Sequence, residues 1–343
     1  EIEELELIQA LKLLADKDGV THERRNGMHS KEQASQKNRL REVMDDAASF
    51  YHNFLTKMEA SKNAKGYLYG RGFTDETIQN WQIGFIPEQW ELLTKYLTKK
   101  GHSIDDLVTA GLTMKRESRS SGDQKSYYDR FRGRIMFPIH DIHGSVVAFT
   151  GRVLVEHEKS GGKYINSPQT PLFDKSRTVF GLDKAKQEMK KNDLCVLMEG
   201  QLDVIAAHQA GMPYAVASSG TALTEHHVKL IKRYTKNIAF AFDADEAGQK
   251  AAKRGIDIAI EQGMSAKVIQ IPEGTGKDPD ECIQKDKKVW FQAVEEAVDI
   301  MNWYVQSEFA HKDLGNPKEK QQIANQLVPE LARIPFAIEH DHC

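Results

Sequence analysis

Between Asn192 and Ile271, short apolar runs alternate with helical patterns, and this alternation restricts the fold more than any other feature of the chain. The runs at 194–198, 214–217, 238–242 and 267–271 have strand length, whereas 201–210, 224–234 and 246–262 space their apolar residues as helices do. Apolar runs bounded by polar residues read as strands covered on both faces in a parallel sheet. A βαβαβαβ order winds its helices onto both faces of such a sheet. Ligands of open parallel sheets sit beyond the carboxyl ends of the strands, where the strand order reverses.

Two of the runs end in carboxylates. The first is followed by Glu199 and Gly200, the third by Asp243, Ala244 and Asp245. Asp243 and Asp245 are two positions apart, so an extended backbone directs both to one side. Carboxylates gathered at one sheet edge repel one another, and a bound cation relieves the repulsion. Oxygen-only donors suit Mg2+ or Mn2+ rather than zinc. Glu199, Asp243 and Asp245 are therefore the candidate catalytic and metal-binding residues. Asp203, in the first turn of the next helix, either supports them or simply favours the helix N-terminus. Asp278 and Asp280 flank Pro279 after the fourth run, and a fourth parallel strand delivers them to the same edge. Taken alone, that segment is also an ordinary solvated acidic turn, just as a single Asp at a strand-to-helix junction is a common cap.

The net charge of −3 does not mark a nucleic-acid binder, but a balanced total can hide opposed patches. Cations cluster at Arg130, Arg132, Arg134, Arg152, Lys163, Lys175 and Arg177, and acids at 199–203, 243–246 and 278–281. A basic surface facing a metal-loaded acidic edge suits a polyanionic template and a triphosphate; two ordinary solvated faces are the plain alternative. The segment from Tyr127 to Arg134 interleaves aromatics with arginines, which stack bases and hold phosphates, or which line a strand with an aromatic core face. Lys163, Tyr164 and Asn166 lie in one loop-like stretch and Lys175 in another, where lysine is a compact charge for phosphate. Gly274, Gly276 and Lys277 lack P-loop spacing. The three cysteines have neither zinc spacing nor an even count, which suits a reduced, cytoplasmic protein. No apolar run approaches the ~20 residues of a membrane span.

The 343 residues imply more than one domain. Residues 1–20 have amphipathic helical spacing, 21–41 read as a polar linker or mobile hairpin, and 42–64 return to helical spacing. An N-cap-like turn precedes a helix at 75–81, and the runs on either side of Asp141 and Gly144 form a β-hairpin. After Pro279 the pattern is helical to the end. The division is 1–45 for an amino-terminal helix and linker, 46–190 for a mixed α+β subdomain, 191–284 for the parallel sheet and 285–343 for a helical subdomain. The chain opens at Glu1 rather than Met and stops at Cys343 shortly after a proline-bounded segment, which reads as a piece of something longer.

The order Glu-Gly, Asp-x-Asp, Asp-Pro-Asp, each after a parallel strand, resembles the Toprim domain of primases, topoisomerases and some nucleases. The segment from Tyr128 to Ile139, with Gly151-Arg152, Lys163 to Pro168 and Gly220-Thr221, resembles the bacterial DnaG-type primase family over about residues 50 to 285. The resemblance implies an α/β Toprim sheet and DNA-templated synthesis of short RNA primers from ribonucleoside triphosphates. It assigns Glu199, Asp203, Asp243, Asp245, Asp278 and Asp280 to the metal site, and Lys163, Lys175, Arg71 and Arg132 to template or nucleotide. It also implies a zinc module before this region and a helicase-docking module after it, and guanosine tetraphosphate as a competitor for the nucleotide pocket. A DNA-cleaving Toprim enzyme and a non-catalytic DNA clamp are the rival readings.

Overall fold

The computed structural model describes residues 27–116, 127–156, 161–218, 220, 222–242, 246–300, 302–303 and 316–331. The strands in chain order are β1 (Gly84–Ile86), β2 (Thr113–Lys115), β3 (Tyr127–Asp129), β4 (Arg134–His140), β5 (Val146–Val153), β6 (Tyr164–Asn166), β7 (Cys195–Met198), β8 (Ala215–Ala217), β9 (Asn237–Ala241), β10 (Ser265–Val268) and β11 (Val298–Asp299). They sort into a four-stranded sheet of order β1-β4-β5-β6, a five-stranded sheet of order β11-β10-β9-β7-β8, and the β2-β3 pair. The first is antiparallel throughout. In the second, β8, β7, β9 and β10 are parallel and β11 is antiparallel.

Alternating side chains distribute each strand between two layers, as the period of two requires. In β7, Val196 and Met198 face one core while Cys195 and Leu197 face another; in β9, Ala239 and Ala241 oppose Ile238 and Phe240 in the same way. The first of these cores also holds Ile135, Phe137 and Ile139 of β4. The antiparallel and parallel sheets therefore share one apolar interior, which fixes the two walls of the site relative to each other. On that face the small residues Ala215, Ala217, Ala239 and Ala241 leave room for the Gln201–Ala210 helix, which is buried from Gln201 through Ala207. A helix so enclosed must be apolar on nearly every side.

The Gly27–Lys57 helix corrects the expected linker, since the polar stretch is helical from Gly27 onward. Its Lys, Glu, Gln and Arg residues are good helix formers. Among the described side chains of this helix burial begins at Leu40, from which Val43, Met44, Ala47, Tyr51 and Leu55 pack inward. A Cβ at Gly84 would lie 2.4 Å from that of Tyr51, so glycine allows this helix to cross β1 closely. The expected 1–20 helix lies outside the described residues. Two further differences concern the end of the parallel sheet. β10 spans Ser265–Val268 rather than 267–271, and β11 interrupts the expected helix, adding an antiparallel edge strand. No described helix is long and apolar enough to cross a membrane.

Candidate active site at the carboxyl edge of the parallel sheet

From β7 the chain runs to β8 on one side and then returns to β9 on the other, so strand order reverses between β7 and β9. Their carboxyl ends lie side by side, Met198 opposite Ala241. This is where an open parallel sheet presents its ligand site. Glu199 follows β7 directly and is half-buried. Asp243, Asp245 and Thr221 lie outside the described residues.

Asp203, 8% exposed, sits in the first turn of the Gln201–Ala210 helix. Its Oδ1 accepts the Asp280 backbone N–H at 3.1 Å. A Cβ on Gly200 would lie 2.7 Å from its Oδ2, so only glycine lets the carboxylate fold back against the strand end. Asp278 is the N-cap of the Pro279–Glu295 helix, accepting the Glu281 N–H at 2.8 Å. Pro279 occupies the first helical position, where its missing N–H costs nothing. Asp280, 1% exposed, accepts from Gln284 Nε2 at 2.7 Å and pairs with the Arg71 guanidinium. Burial raises the Asp280 pKa, and the Gln284 and Arg71 contacts act against that rise. The acidic loop is thus the start of a helix that holds Asp203 in place.

These donors suit a hard cation, being all oxygen. Among the described residues no group of three or more His, Cys, Asp or Glu is arranged to hold a metal ion. Asp278 and Asp280 have oxygens engaged by protein donors, and Glu199 stands directly at the carboxyl end of β7.

A basic wall stands across from this edge. Arg71, at the C-cap of the Lys62–Gly70 helix, lies 5.8 Å from the Tyr67 ring while reaching Asp280. Arg152 of β5 stacks over the same ring at 4.2 Å and faces Tyr164 of β6 in register. Enclosure of its hydroxyl end pushes the Tyr164 pKa up to about 12, against the pull of Arg152 and Arg71. Tyr67 thus organises three candidates and was missed in the sequence, although its i, i+4 spacing to Arg71 places both on one helix face. Lys163 is exposed beside Tyr164. The Lys175 loop is fastened to the parallel sheet's side by His227 Nε2, which donates to Lys175 O at 2.8 Å, and by Thr224 Oγ1, which donates to Ser176 O at 2.7 Å. Asn166 Nδ2 would lie 3.3 Å from a Cβ on Gly220, so the loops after β6 and β8 meet.

The arginines of the Tyr128–Arg134 segment divide. Arg134 is 1% exposed and donates to Gly151 O at 2.9 Å, Gly162 O at 3.1 Å and Lys163 O at 3.3 Å. Its expected role at template or nucleotide is corrected by this burial: it fastens the β5–β6 turn from beneath. Arg130 is half-buried, donating to Asn166 O at 3.5 Å. Arg132 donates to Asp129 O and stacks on aromatic rings away from the acidic edge.

Residues 50–186 match the family described as the DNA primase catalytic core, N-terminal domain, and residues 196–283 one described as Toprim-like. The chain is 35% identical to a DNA primase of Halalkalibacterium halodurans, covering 100% of this chain and 56% of that relative. Against the DNA primase of Pseudomonas aeruginosa the identity is 34%, over 97% of this chain and 50% of the relative. The chain therefore spans about half the length of these curated relatives. A DnaG primase catalytic domain solved with single-stranded DNA superposes with a TM-score of 0.76 at 31% identity, covering 90% of this chain and 94% of that one. The RNA polymerase domain of Mycobacterium tuberculosis primase DnaG gives 0.78 at 30%, covering 89% and 96%. A parallel sheet with an acidic carboxyl edge, opposed by a basic antiparallel wall, defines a Toprim-type nucleic-acid enzyme core. This chain belongs to the DnaG-type DNA primase catalytic-core family.

Proposed function

We propose that the chain is a primase catalytic core that copies single-stranded DNA into short RNA primers from ribonucleoside triphosphates. The observation that carries this reading is the meeting of two walls on one shared core. The β7–β9 carboxyl edge bears Glu199 and the Asp203–Asp280 contact, and Arg71, Arg152 and Tyr164 converge opposite. Mg2+ or Mn2+, when bound, supplies charge neutralisation for the triphosphate and acidifies the attacking 3′-hydroxyl. Glu199, with Asp243 and Asp245, would hold it. Asp203 and Asp280 keep the strand end in shape, and Asp278 starts the supporting helix. Arg152, Lys163, Tyr164, Asn166 and Lys175 hold template or triphosphate phosphates, and Arg71 links that wall to Asp280. A metal-loaded edge beside cations also suits guanosine tetraphosphate as a competing ligand. Zinc belongs to the family's separate amino-terminal module, and helicase docking to its carboxyl-terminal one.

The test is ribonucleotide incorporation on single-stranded DNA with Mg2+ or Mn2+, with the zinc module supplied in trans, for the parent and Glu199→Gln. Metal-dependent RNA that disappears in the variant supports the reading. Cleaved DNA with no RNA product would move the chain to the nuclease branch of Toprim enzymes, and template binding with neither product would make it a clamp.

A further inference from the structure

Arg71 leaves the Lys62–Gly70 helix in a turn that backbone hydrogen bonds define. The Phe73 N–H donates to Leu68 O at 3.1 Å and the Gly72 N–H to Tyr69 O at 2.8 Å, with Gly72 left-handed at φ +76°. Leu68 and Phe73, brought together by this stop, both belong to the core shared by the two sheets. Thr74 then caps the Asp75–Asn80 helix, its Oγ1 accepting the Thr77 N–H at 3.2 Å. Turn and cap leave Gly72 O and the Thr74 N–H to be satisfied from outside their own segment.

Gln209, in the last turn of the Gln201–Ala210 helix, satisfies both. Its Nε2 donates to Gly72 O at 2.8 Å, and its Oε1 accepts the Thr74 N–H at 3.0 Å and a bond from Thr77 Oγ1. A primary amide suits this because it holds a donor and an acceptor in one plane, and the two backbone partners settle which end is which. The same helix reaches Arg71 from the other side. Asp203 Oδ1 accepts the Asp280 N–H, and Asp280 pairs with the Arg71 guanidinium. Asp203 and Gln209 are six residues apart, about 9 Å along the helix. One rod therefore holds Arg71 at its backbone turn and at its charged tip, and Glu199 lies two residues before that rod begins.

We infer that Gln209 is a positioning residue: through Gly72 it sets Arg71 at a fixed distance from Glu199, and so places the guanidinium for the triphosphate of the incoming ribonucleotide. Arg71 keeps 27% of its side chain exposed while paired with Asp280, so the rest of its planar fork is free to meet a phosphate. Gln209 is itself exposed, and its bonds compete with water, so they add little to folding stability. What they fix is the direction in which Arg71 leaves its helix. The inference rests on the primase reading above and deepens it by naming a residue that tunes the triphosphate site.

The experiment measures RNA synthesis on single-stranded DNA against ribonucleoside triphosphate concentration, with Mg2+ and the zinc module in trans. The chains compared are the parent, Gln209→Glu, Arg71→Gln and the double variant. Glutamate keeps the acceptor for Thr74 and Thr77 but sets a carboxylate oxygen against Gly72 O, so the turn is displaced. Gln209→Glu is expected to raise KM for the triphosphate roughly tenfold, the worth of one weakened charge-assisted hydrogen bond, with kcat within about twofold of the parent. Template affinity and the unfolding midpoint stay parental. On the Arg71→Gln background the same change has no further effect, because it acts through Arg71. Gln209→Met, which drops both backbone contacts without adding charge, shifts KM in the same direction. A parental KM in both Gln209 variants would overturn the inference. So would a further rise on the Arg71→Gln background, or a joint fall of kcat, template affinity and unfolding midpoint, which marks a merely structural clamp. If the parent makes RNA and the Gln209 variants match it, the inference fails alone. A parent that makes no RNA removes the primase reading, and this inference with it.

Discussion

The acidic edge and the basic wall are built by opposite means. At the edge, functional groups follow directly from buried strands, so Glu199 takes its place from β7 and Asp203 from the next helical turn. On the wall, side chains reach the site from a helix end, from antiparallel strands and from loops, and their roles depend on distant partners. Arg134 and Arg152 show the difference within one β4–β5 pair. Both are arginines beside the same loop, yet one is buried under three carbonyls and the other is half-buried and stacks on Tyr67. Charge type says which chemistry is available. Only burial says whether a ligand can use it.

Arg134→Ala sharpens that contrast most. It removes the buried hydrogen bond to Gly151 O and the donors that tie down Gly162 and Lys163, with an expected loss of about 3 kcal/mol in denaturant unfolding. Arg152→Ala removes a half-buried cation stacked on Tyr67, so it weakens template binding with a smaller stability loss of about 1 kcal/mol. Equal stability losses from both would erase the distinction.

The legible parts of the fold were those governed by local pattern. β7, β8 and β9 fall within a residue of the positions expected, because each is a short run buried on both faces. β10 was displaced because its Ser265 and Lys267 are exposed while the apolar residues Ile269 and Ile271 continue past its end. β11 has only the residues Val298 and Asp299, too few to interrupt a helical spacing. In the site, Asp280 was legible as an acid but not as the partner of Arg71, since that pair joins residues remote in sequence. Tyr67 carries a local signal in its i, i+4 spacing to Arg71, but its stacking with Arg152 joins residues remote in sequence.

Gly200→Ala tests the acidic side. Its Cβ meets Asp203 Oδ2 at 2.7 Å, so the carboxylate must move, with an expected cost of roughly 1–3 kcal/mol and a larger fractional loss of synthesis than of template binding. An unchanged unfolding midpoint and unchanged synthesis would show that Asp203 does not need this seat.

Protonation acts on the packing behind both walls. His208 is half-buried and hydrogen-bonded to Ala215 O, and desolvation lowers its pKa to about 4. His227 donates from Nε2 to Lys175 O and accepts the Thr224 N–H at Nδ1, 3.3 Å away, so it packs as the neutral ring, and burial lowers its pKa too. The unfolded chain then binds more protons than the folded one below the ordinary value of 6.5, so stability is complete above that pH and falls as pH drops toward 4. His208 alone contributes about 3 kcal/mol to that fall. Thermal unfolding between pH 7 and pH 4 measures it, and a flat midpoint across that range would contradict it. The smallest expected effect belongs to Lys163→Ala, which removes one exposed cation and makes the salt dependence of single-stranded DNA binding shallower by about 0.7 in log–log slope. An unchanged slope would take Lys163 off the strand's path.

The separability of the two walls is tested most directly by measuring single-stranded DNA affinity and RNA synthesis together for Glu199→Gln and Arg152→Ala. Glu199→Gln is expected to lose synthesis by about a thousandfold or more at unchanged template affinity. Arg152→Ala is expected to lose affinity and to recover synthesis as template concentration is raised. Near-parental synthesis by Glu199→Gln, or losses of both properties in both variants, would contradict an acidic edge for chemistry set against a basic wall for binding.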